Sequence, residues 1–160
     1  MAFDKTEFRS AMSLYPTGVA VITTEADGVP PFGMTVNSFT SLSLEPPLIM
    51  WNLQNSSDTY ALWHNIKGFA VNFLRDDQKE VSSRFARKNE HQASSGEIRH
   101  LDDIECPVLV DCLGVLVCKM HSRYDEGDHV IIIGEVLHIE SDERASPLVF
   151  HRGGYKTLAS

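Results

Sequence analysis

Residues 107–140 read PVLVDCLGVLVCKMHSRYDEGDHVIIIGEVLHIE. Two runs rich in β-branched residues, 107–124 and 129–140, flank a short acidic turn that contains Gly127. Because β-branched residues favour strands and glycine favours tight turns, this stretch predicts two long strands joined by a hairpin. Strands joined in this way run antiparallel, so the stretch commits the chain to an antiparallel sheet.

Further strands are predicted along the rest of the chain, and most of them follow one another through short connections. They are GVAVITTEADG (18–28), GMTVNSFTSLSL (33–44), LIMWNL (48–53) and FAVNFL (69–74), with PLVFHRGGYK (147–156) as a last short strand or an extended arm. Such a pattern favours a mainly β fold, and closure into a β-barrel with peripheral helices would bury the sheet. We expect one domain over residues 1–160.

Three short helices and one long loop complete the prediction. Asp4 and Glu7 have the spacing of a capping box ahead of the first helix, which Pro16 ends. A second helix is predicted over 59–67, capped by Ser57 or Asp58 and closed by Gly68. The remaining segments are a helix over 76–86 and a polar surface loop over 87–105.

The composition is that of an ordinary globular protein, with 42% apolar and 22% charged residues. The net charge of −8 argues against nucleic acid as the main partner, because phosphate neutralisation dominates that kind of binding. Seven of the 14 basic residues lie between 67 and 99, which is compatible with a site for a small phosphorylated ligand or with a solvated helix face.

The N-terminus lacks the apolar segment of a signal peptide, and no apolar run is long enough to span a bilayer. We therefore expect a cytoplasmic protein, without membrane partners, whose three cysteines are reduced. These thiols are Cys106, Cys112 and Cys118.

Several common chemistries find no support in the sequence. No glycine-rich dinucleotide or nucleotide-triphosphate motif is present, and the cysteines are six residues apart rather than in the Cys-x₂-Cys spacing of zinc sites. Asp128-His129 resembles part of a catalytic triad, but no Gly-x-Ser-x-Gly segment supplies a nucleophile. We expect neither a metal site nor a catalytic acid–base pair.

The stretch GMTVNSFTSLSLEPPLIM (33–50) is unusually rich in short uncharged polar side chains. On one continuous strand, period-two alternation places Thr35, Asn37, Ser41 and Ser43 on one face, and Met34, Val36 and Leu42 on the other. Such a face suits a polar heterocycle with a hydroxylated tail, although serines and threonines are also common in strands. The following stretch NLQNSSDT (52–59) is compatible either with a phosphate-binding site at a helix N-terminus or with a helix N-cap that binds no ligand.

Taken in order, six segments resemble the flavin reductase family that supplies reduced flavin to two-component monooxygenases. The resemblance covers about residues 8–156. The segments are FRSAMSLYPTGVAVITT, GMTVNSFTSLSLEPPLIM, FAVNFL, SSRFA, YDEGDHVIIIGEV and PLVFHRGGY.

The resemblance implies a split β-barrel that forms a homodimer, with FMN or FAD bound near the subunit interface. It also implies that NADH or NADPH reduces the flavin, which then leaves for a partner monooxygenase. The alternatives are a stand-alone flavin or ferric reductase, and a flavin carrier that performs no turnover. Hydride passes directly from nicotinamide to flavin, so the resemblance implies a protein that positions two rings and carries no catalytic side chain.

Carried over residue by residue, the resemblance implies the following contacts. Flavin contacts fall at Met34, Thr35, Val36, Asn37, Ser38, Ser41, Leu42, Asn55, Ser56, Ser57, Thr59, Arg84 and Phe85. Residues 34–38 are expected at the ring, 55–59 near the phosphate, and His129 and Tyr155 at the nicotinamide nucleotide. The loop over 87–105 matches none of the six segments.

Overall fold

The helices and strands follow from a computed structural model that describes residues 3–101 and 104–158. The helices are α1 (Lys5–Ser13) and α2 (Lys79–Phe85), with a short 3-10 helix at Tyr60–His64. The strands are β1 (Thr17–Gly18), β2 (Ala20–Ala26), β3 (Val29–Val36), β4 (Thr40–Leu44), β5 (Pro47–Gln54), β6 (Gly68–Phe73), β7 (Ile98–Leu101), β8 (Ile104–Leu109), β9 (Gly114–Glu126), β10 (His129–Ser141), β11 (Val149–His151) and β12 (Gly154–Lys156).

A seven-stranded antiparallel sheet dominates the structure, in the order β3-β2-β6-β9-β10-β5-β4. The long hairpin of β9 and β10 forms its centre, with Glu126 opposite His129 and Gly127 in the turn at a φ of +62°. This confirms the predicted hairpin around Gly127. A three-stranded sheet, β1-β11-β12, and the hairpin of β7 and β8 lie beside the main sheet.

The mainly β fold with few helices is confirmed, but the predicted closure of the sheet is wrong. Strands β3 and β4 are the two edges of the seven-stranded sheet and do not pair with each other. Residues 37–39 connect them, and the Ser38 hydroxyl accepts a hydrogen bond from the Asn52 N–H (3.0 Å) on β5. The β3 edge instead bonds residues 91–93, through Gly33 N to His91 O (2.8 Å) and Ala93 N to Pro31 O (2.9 Å).

The segment 33–44 is therefore not one strand, and its predicted face assignment fails beyond Val36. β3 pairs with β2 at one edge of the sheet, whereas β4 pairs with β5 at the other. Residues 37–39 break the two-residue alternation between these edges, so Thr35 and Ser41 do not share a strand face.

The caps of α1 are confirmed. The Asp4 carboxylate accepts hydrogen bonds from the backbone of Thr6 (2.7 Å) and Glu7 (2.8 Å), and the Glu7 carboxylate accepts one from Asp4 N (2.9 Å). An apolar contact accompanies the capping box, with the Phe3 and Phe8 rings 6.0 Å apart.

The predicted helix over 59–67 shrinks to the 3-10 turn at Tyr60–His64, which has no side-chain cap. Gly68 does not close it: this residue begins β6, where a Cβ would lie 2.7 Å from the Cys118 carbonyl oxygen. Main-chain pairing with β9 therefore requires glycine at this position.

The predicted loop over 87–105 also contains regular structure, because β7 pairs with β8 as a hairpin. The predicted strand over 107–124 is two strands, β8 and β9, separated by a turn at 110–113 where Asp111 has a φ of +57°. Residues 149–156 form the β11–β12 hairpin, so this segment is strand rather than an extended arm.

The main core is built on perpendicular aromatic rings. Trp51 packs against Trp63 and Phe69 with ring centroids 5.0 and 5.8 Å away, and Phe32 packs edge-on against Trp63 at 5.2 Å. All four rings are buried. This core fixes the positions of β3, β5 and β6 relative to one another.

Candidate functional site

The end of β3 meets α2 and β12 at a cavity of about 190 Å³. The Thr35 hydroxyl donates to the Ser82 carbonyl (2.7 Å), and the Ser82 hydroxyl hydrogen-bonds with the Tyr155 hydroxyl (2.8 Å). These bonds draw three distant parts of the chain together. The lining residues are Val19, Thr35, Val36, Asn37, Ser82, Ala86, Phe150 and Tyr155.

A larger cavity of about 550 Å³ lies on the other side of Asn37, which lines both cavities. Its walls combine aromatic rings and Met12 with amide and hydroxyl groups. Two of its buried oxygens, Thr17 Oγ1 and Asn52 Oδ1, have no hydrogen-bond partner among the described residues. Aromatic walls with unpaired acceptors suit a flat heterocycle that carries N–H groups. The lining residues are Phe8, Arg9, Met12, Ser13, Tyr15, Thr17, Asn37, Ser38, Phe39, Thr40, Asn52 and Phe150.

A cleft rich in basic side chains adjoins the first cavity, and Tyr155 lines both. The Arg84 guanidinium lies 4.1 Å above the fully buried Phe85 ring, pairs with Glu97 and donates to the Gln92 carbonyl (2.9 Å). Burial raises the pKa of Glu97, but hydrogen bonds from Ser94 and the charge of Arg84 outweigh it and hold that pKa below its usual range. The cleft is lined by Lys79, Glu80, Ser83, Arg84, Arg87 and Tyr155.

Residues 55–59 lie beside the β9–β10 turn, since Asn55 N donates to the Asp128 carbonyl (3.0 Å). The Ser57 and Thr59 hydroxyls hydrogen-bond with each other (3.0 Å), and buried Thr59 also accepts from Trp63 Nε1 (3.2 Å). Thr59 therefore holds the local structure, whereas Asn55 and Ser56 are exposed.

His129 begins β10 next to this segment, opposite Gln54 on β5. Its Nδ1 hydrogen-bonds with Asp128 Oδ1 (2.7 Å), and this bond, with the charge of His129, holds the pKa of Asp128 below its usual range. The bond orients the ring and assigns the Nδ1 proton to the carboxylate side. The imidazole is 42% exposed, so its Nε2 edge is available to a ligand.

The candidate residues thus form two groups. Thr35, Val36, Asn37, Ser38, Arg84 and Tyr155 line the cavities and cleft described above. His129 and residues 55–59 lie together at the β9–β10 turn. Met34 packs on the main core, while Ser41 and Leu42 lie exposed on β4.

Sequence reasoning did not single out Ser82, Phe39, Asn52 and Phe150, although all four line the cavities. Ser82 belongs to the SSRFA segment, so its position in a recognised motif was an available signal. Phe39 and Asn52 belong to segments chosen for their other residues. Only the folded chain brings them to one place.

An open antiparallel sheet with aromatic and amide-lined cavities at the end of β3 defines a ligand-binding β protein. The chain belongs to the flavin reductase family: the family described as "Flavin reductase like domain" matches residues 12–159.

Individual relatives agree with this assignment. A flavin reductase of Pseudomonas putida is 37% identical over 99% of this chain and 93% of its own length. The reductase subunit HsaB of a flavin-dependent monooxygenase from Rhodococcus jostii is 32% identical over 96% of this chain and 78% of its own length. The solved NADH:FAD oxidoreductase SgcE6 of Streptomyces globisporus, in complex with NAD and FAD fragments, superposes with a TM-score of 0.90 at 29% identity, covering 98% of this chain and 93% of that chain.

Two further observations bear on the kind of site. Within residues 3–101 and 104–158, no three His, Cys, Asp or Glu side chains are grouped closely enough to hold a metal ion. No helix in the described part of the chain is long and apolar enough to cross a bilayer.

Proposed function

We propose that this protein is an NAD(P)H:flavin oxidoreductase that acts as a single flavin reductase-like domain on FMN or FAD and supplies the reduced flavin to a partner monooxygenase. Family membership supports the reaction, and the HsaB relative supports the monooxygenase partner. The observation that carries the proposal is the pair of cavities that share Asn37, with aromatic walls and unpaired polar oxygens.

The residues present fit a flavin. Thr35 to Ser38 offer backbone and short side chains to the ring, and Asn52, whose Oδ1 has no hydrogen-bond partner among the described residues, lines the larger cavity. Arg84, whose guanidinium lies over the Phe85 ring, supplies positive charge for the phosphate-bearing tail. When bound, the flavin accepts hydride at N5 from nicotinamide C4, so the protein's task is to bind and orient both rings and to exclude water.

The experiment that tests the function is steady-state NADH and NADPH oxidation by the purified protein, with FMN, FAD and riboflavin varied separately. We expect turnover with at least one flavin and none without flavin. Failure of every flavin to support oxidation would refute the reaction. Formation of the oxygenase's product when the reductase is combined with a flavin-dependent oxygenase would distinguish a two-component reductase from a stand-alone one.

His129 is proposed as a nicotinamide contact, so His129→Ala is expected to raise the KM for NADH about tenfold, the cost of one good polar contact. Flavin affinity should stay within about twofold of wild type, because His129 is proposed to contact the nicotinamide nucleotide while other residues bind the flavin. Initial rates and flavin fluorescence titration measure the two effects. His121→Ala is the matched control, since His121 is 41% exposed on the neighbouring strand. Equal loss of flavin binding in His129→Ala would contradict the assignment.

We also propose that the protein forms a homodimer in which α1 lies at the subunit interface. This helix has no buried residue, and Phe8, Met12 and Tyr15 are 54%, 55% and 71% exposed where they line the larger cavity. Such an apolar surface, formed by α1 and by Tyr15 just after it, fits a second copy of the chain.

Met12→Glu is accordingly expected to shift the protein from dimer to monomer, because a carboxylate buried at the interface lacks a partner. Size-exclusion chromatography with light scattering measures this. Leu137→Glu is the control, since Leu137 is also 55% exposed but lies on β10. A monomeric wild type, or dissociation by Leu137→Glu alone, would contradict the proposed interface.

A cytoplasmic location is part of the proposal. The three cysteines are free, and burial raises the pKa of each thiol to about 12. Reduced, unreactive thiols are typical of proteins in a reducing compartment.

A further inference from the structure

His91 bridges two segments that lie far apart in the sequence. It belongs to the loop between α2 and β7 and is only 9% exposed. Its Nδ1 lies 3.0 Å from the Gly33 carbonyl oxygen, and its Nε2 lies 2.9 Å from Asp58 Oδ1. Gly33 immediately precedes the proposed ring-binding residues 34–38, and Asp58 lies within 55–59, the proposed phosphate segment. One imidazole thus connects the residue next to the proposed ring-binding segment with the proposed phosphate segment.

Both ring nitrogens of His91 have a hydrogen-bond partner. The Gly33 carbonyl lies at one ring nitrogen and the Asp58 carboxylate at the other, so both edges of the imidazole are engaged. Asp58 also accepts from the Asn89 N–H (2.7 Å), and this bond, followed by the charge of His91, holds the pKa of Asp58 below its usual range. Hydrogen bonds to the main chain therefore fix both members of this histidine–carboxylate contact.

The main chain of the same loop strengthens the connection to β3. Gly33 N donates to the His91 carbonyl (2.8 Å), so His91 satisfies both backbone groups of Gly33. A Cβ on Gly33 would lie 2.6 Å from the Ile22 carbonyl oxygen, which shows how closely β3 is packed against β2. β3 is thus held on one side by β2 and on the other by His91.

We propose that Asp58 and His91 form a positioning pair that sets the distance between the ring-binding end of β3 and the phosphate segment 55–59. The inference rests on the proposed flavin reductase function. β3 and β5 are not neighbours in the sheet, so sheet pairing does not set this distance. His91 also lies in the part of the chain that matches none of the six recognised segments, and hence the pair was not visible from the resemblance.

The test compares FMN with riboflavin, which has the same ring but no phosphate. His91→Leu and Asp58→Ala are each expected to weaken FMN binding about tenfold and riboflavin binding by less than about twofold, because only FMN must span both segments. The double variant should weaken FMN binding by less than the two single effects combined, since both changes break the same His91–Asp58 contact. At saturating FMN, the kcat of His91→Leu should stay within about twofold of wild type.

Two variants serve as controls. In Asp58→Asn the carboxamide can still hydrogen-bond with His91 and accept from the Asn89 N–H, so FMN affinity is expected to be retained. His100→Leu removes another histidine–carboxylate contact, the one with Glu25 on β2 (3.4 Å), and should leave both affinities unchanged. Thermal denaturation of each variant shows that it is folded.

The outcomes separate the positioning pair from the proposed function. Equal weakening of FMN and riboflavin, or FMN affinity unchanged in Asp58→Ala, would overturn the positioning pair even if wild type reduces flavin. If wild type binds FMN but oxidises no NADH, the proposed reaction fails. The FMN-to-riboflavin affinity ratio of the variants would then still decide for or against the pair.

Discussion

Replacement of Asn72 by leucine is expected to lower the free energy of unfolding by about 4 kcal/mol, because it leaves several buried polar groups without partners. Asn72 is fully buried on β6. Its Nδ2 donates to the Val21 carbonyl and to Thr23 Oγ1, both at 2.9 Å, and its Oδ1 accepts from Leu109 N at 2.8 Å. The amide therefore joins β2 and β6 to β8.

The size of the effect follows from what the substitution leaves behind. Leucine keeps the branching and the number of side-chain heavy atoms. It leaves the Leu109 N–H without an acceptor and removes the Asn72 donor from the Val21 carbonyl, in a region that water does not reach. Each such group costs about 1–3 kcal/mol. Since β8 belongs to the separate β7–β8 hairpin, the variant should also loosen that hairpin from the main sheet.

Urea denaturation followed by tryptophan fluorescence measures the change, with Trp51 and Trp63 reporting from the core. Asn65→Leu is the control, because Asn65 is exposed and ends the 3-10 helix. A loss below about 1 kcal/mol for Asn72→Leu would mean that the buried network contributes little net stability.

Gly134→Ala is expected to be the second most damaging change, with a loss of about 3 kcal/mol from overpacking. A Cβ at this position on β10 would lie 2.5 Å from Phe69 Cζ and 2.9 Å from Cys118 Cβ. Phe69 is fully buried against Trp51, so its ring has no free space to move into. The added methyl group therefore strains the middle of the sheet.

A second substitution tests this cause directly. Phe69→Leu removes the ring that the new methyl group meets, so the double variant should be less destabilised than the sum of the two single variants. Gly96→Ala is the control, because nothing lies within 4 Å of a Cβ there and its φ is not positive. Additive effects in the double variant would show that the clash with Phe69 is not the cause.

Local features of the structure were largely predictable. The capping box of α1 and the β9–β10 hairpin depend on residues close together in sequence, such as Asp4 with Glu7 and the turn at Gly127. Their backbone preferences and hydrogen bonds are satisfied within a few residues. Sequence reasoning therefore placed them correctly without knowledge of the rest of the fold.

The errors arose where distant parts of the chain compete for the same segment. Residues 33–44 have strand-forming composition throughout, but their two halves find partners at opposite edges of the sheet. Gly68 resembles a helix end, yet the close approach of β9 explains it. In both places a pairing partner far away in sequence outweighed the local pattern.

The candidate site likewise contains some residues that the sequence indicated and others that it did not. Thr35, Asn37 and Tyr155 were chosen from the sequence through a family resemblance, and they line one cavity in the structure. Whether they contact flavin remains a prediction that the titrations above test. Asp58 and His91 gave no usable signal, because a single histidine and a single aspartate 33 residues apart belong to no motif.

The sequence by itself determined the mainly β class, the α1 caps, the central hairpin and the flavin reductase family, because alternation, turn residues and ordered motifs are local properties. Only the tertiary structure decided that the sheet stays open, that Gly134 and Asn72 are required, and that His91 connects β3 with residues 55–59. Packing distances and buried hydrogen bonds depend on which strands become neighbours, and that is a property of the whole chain.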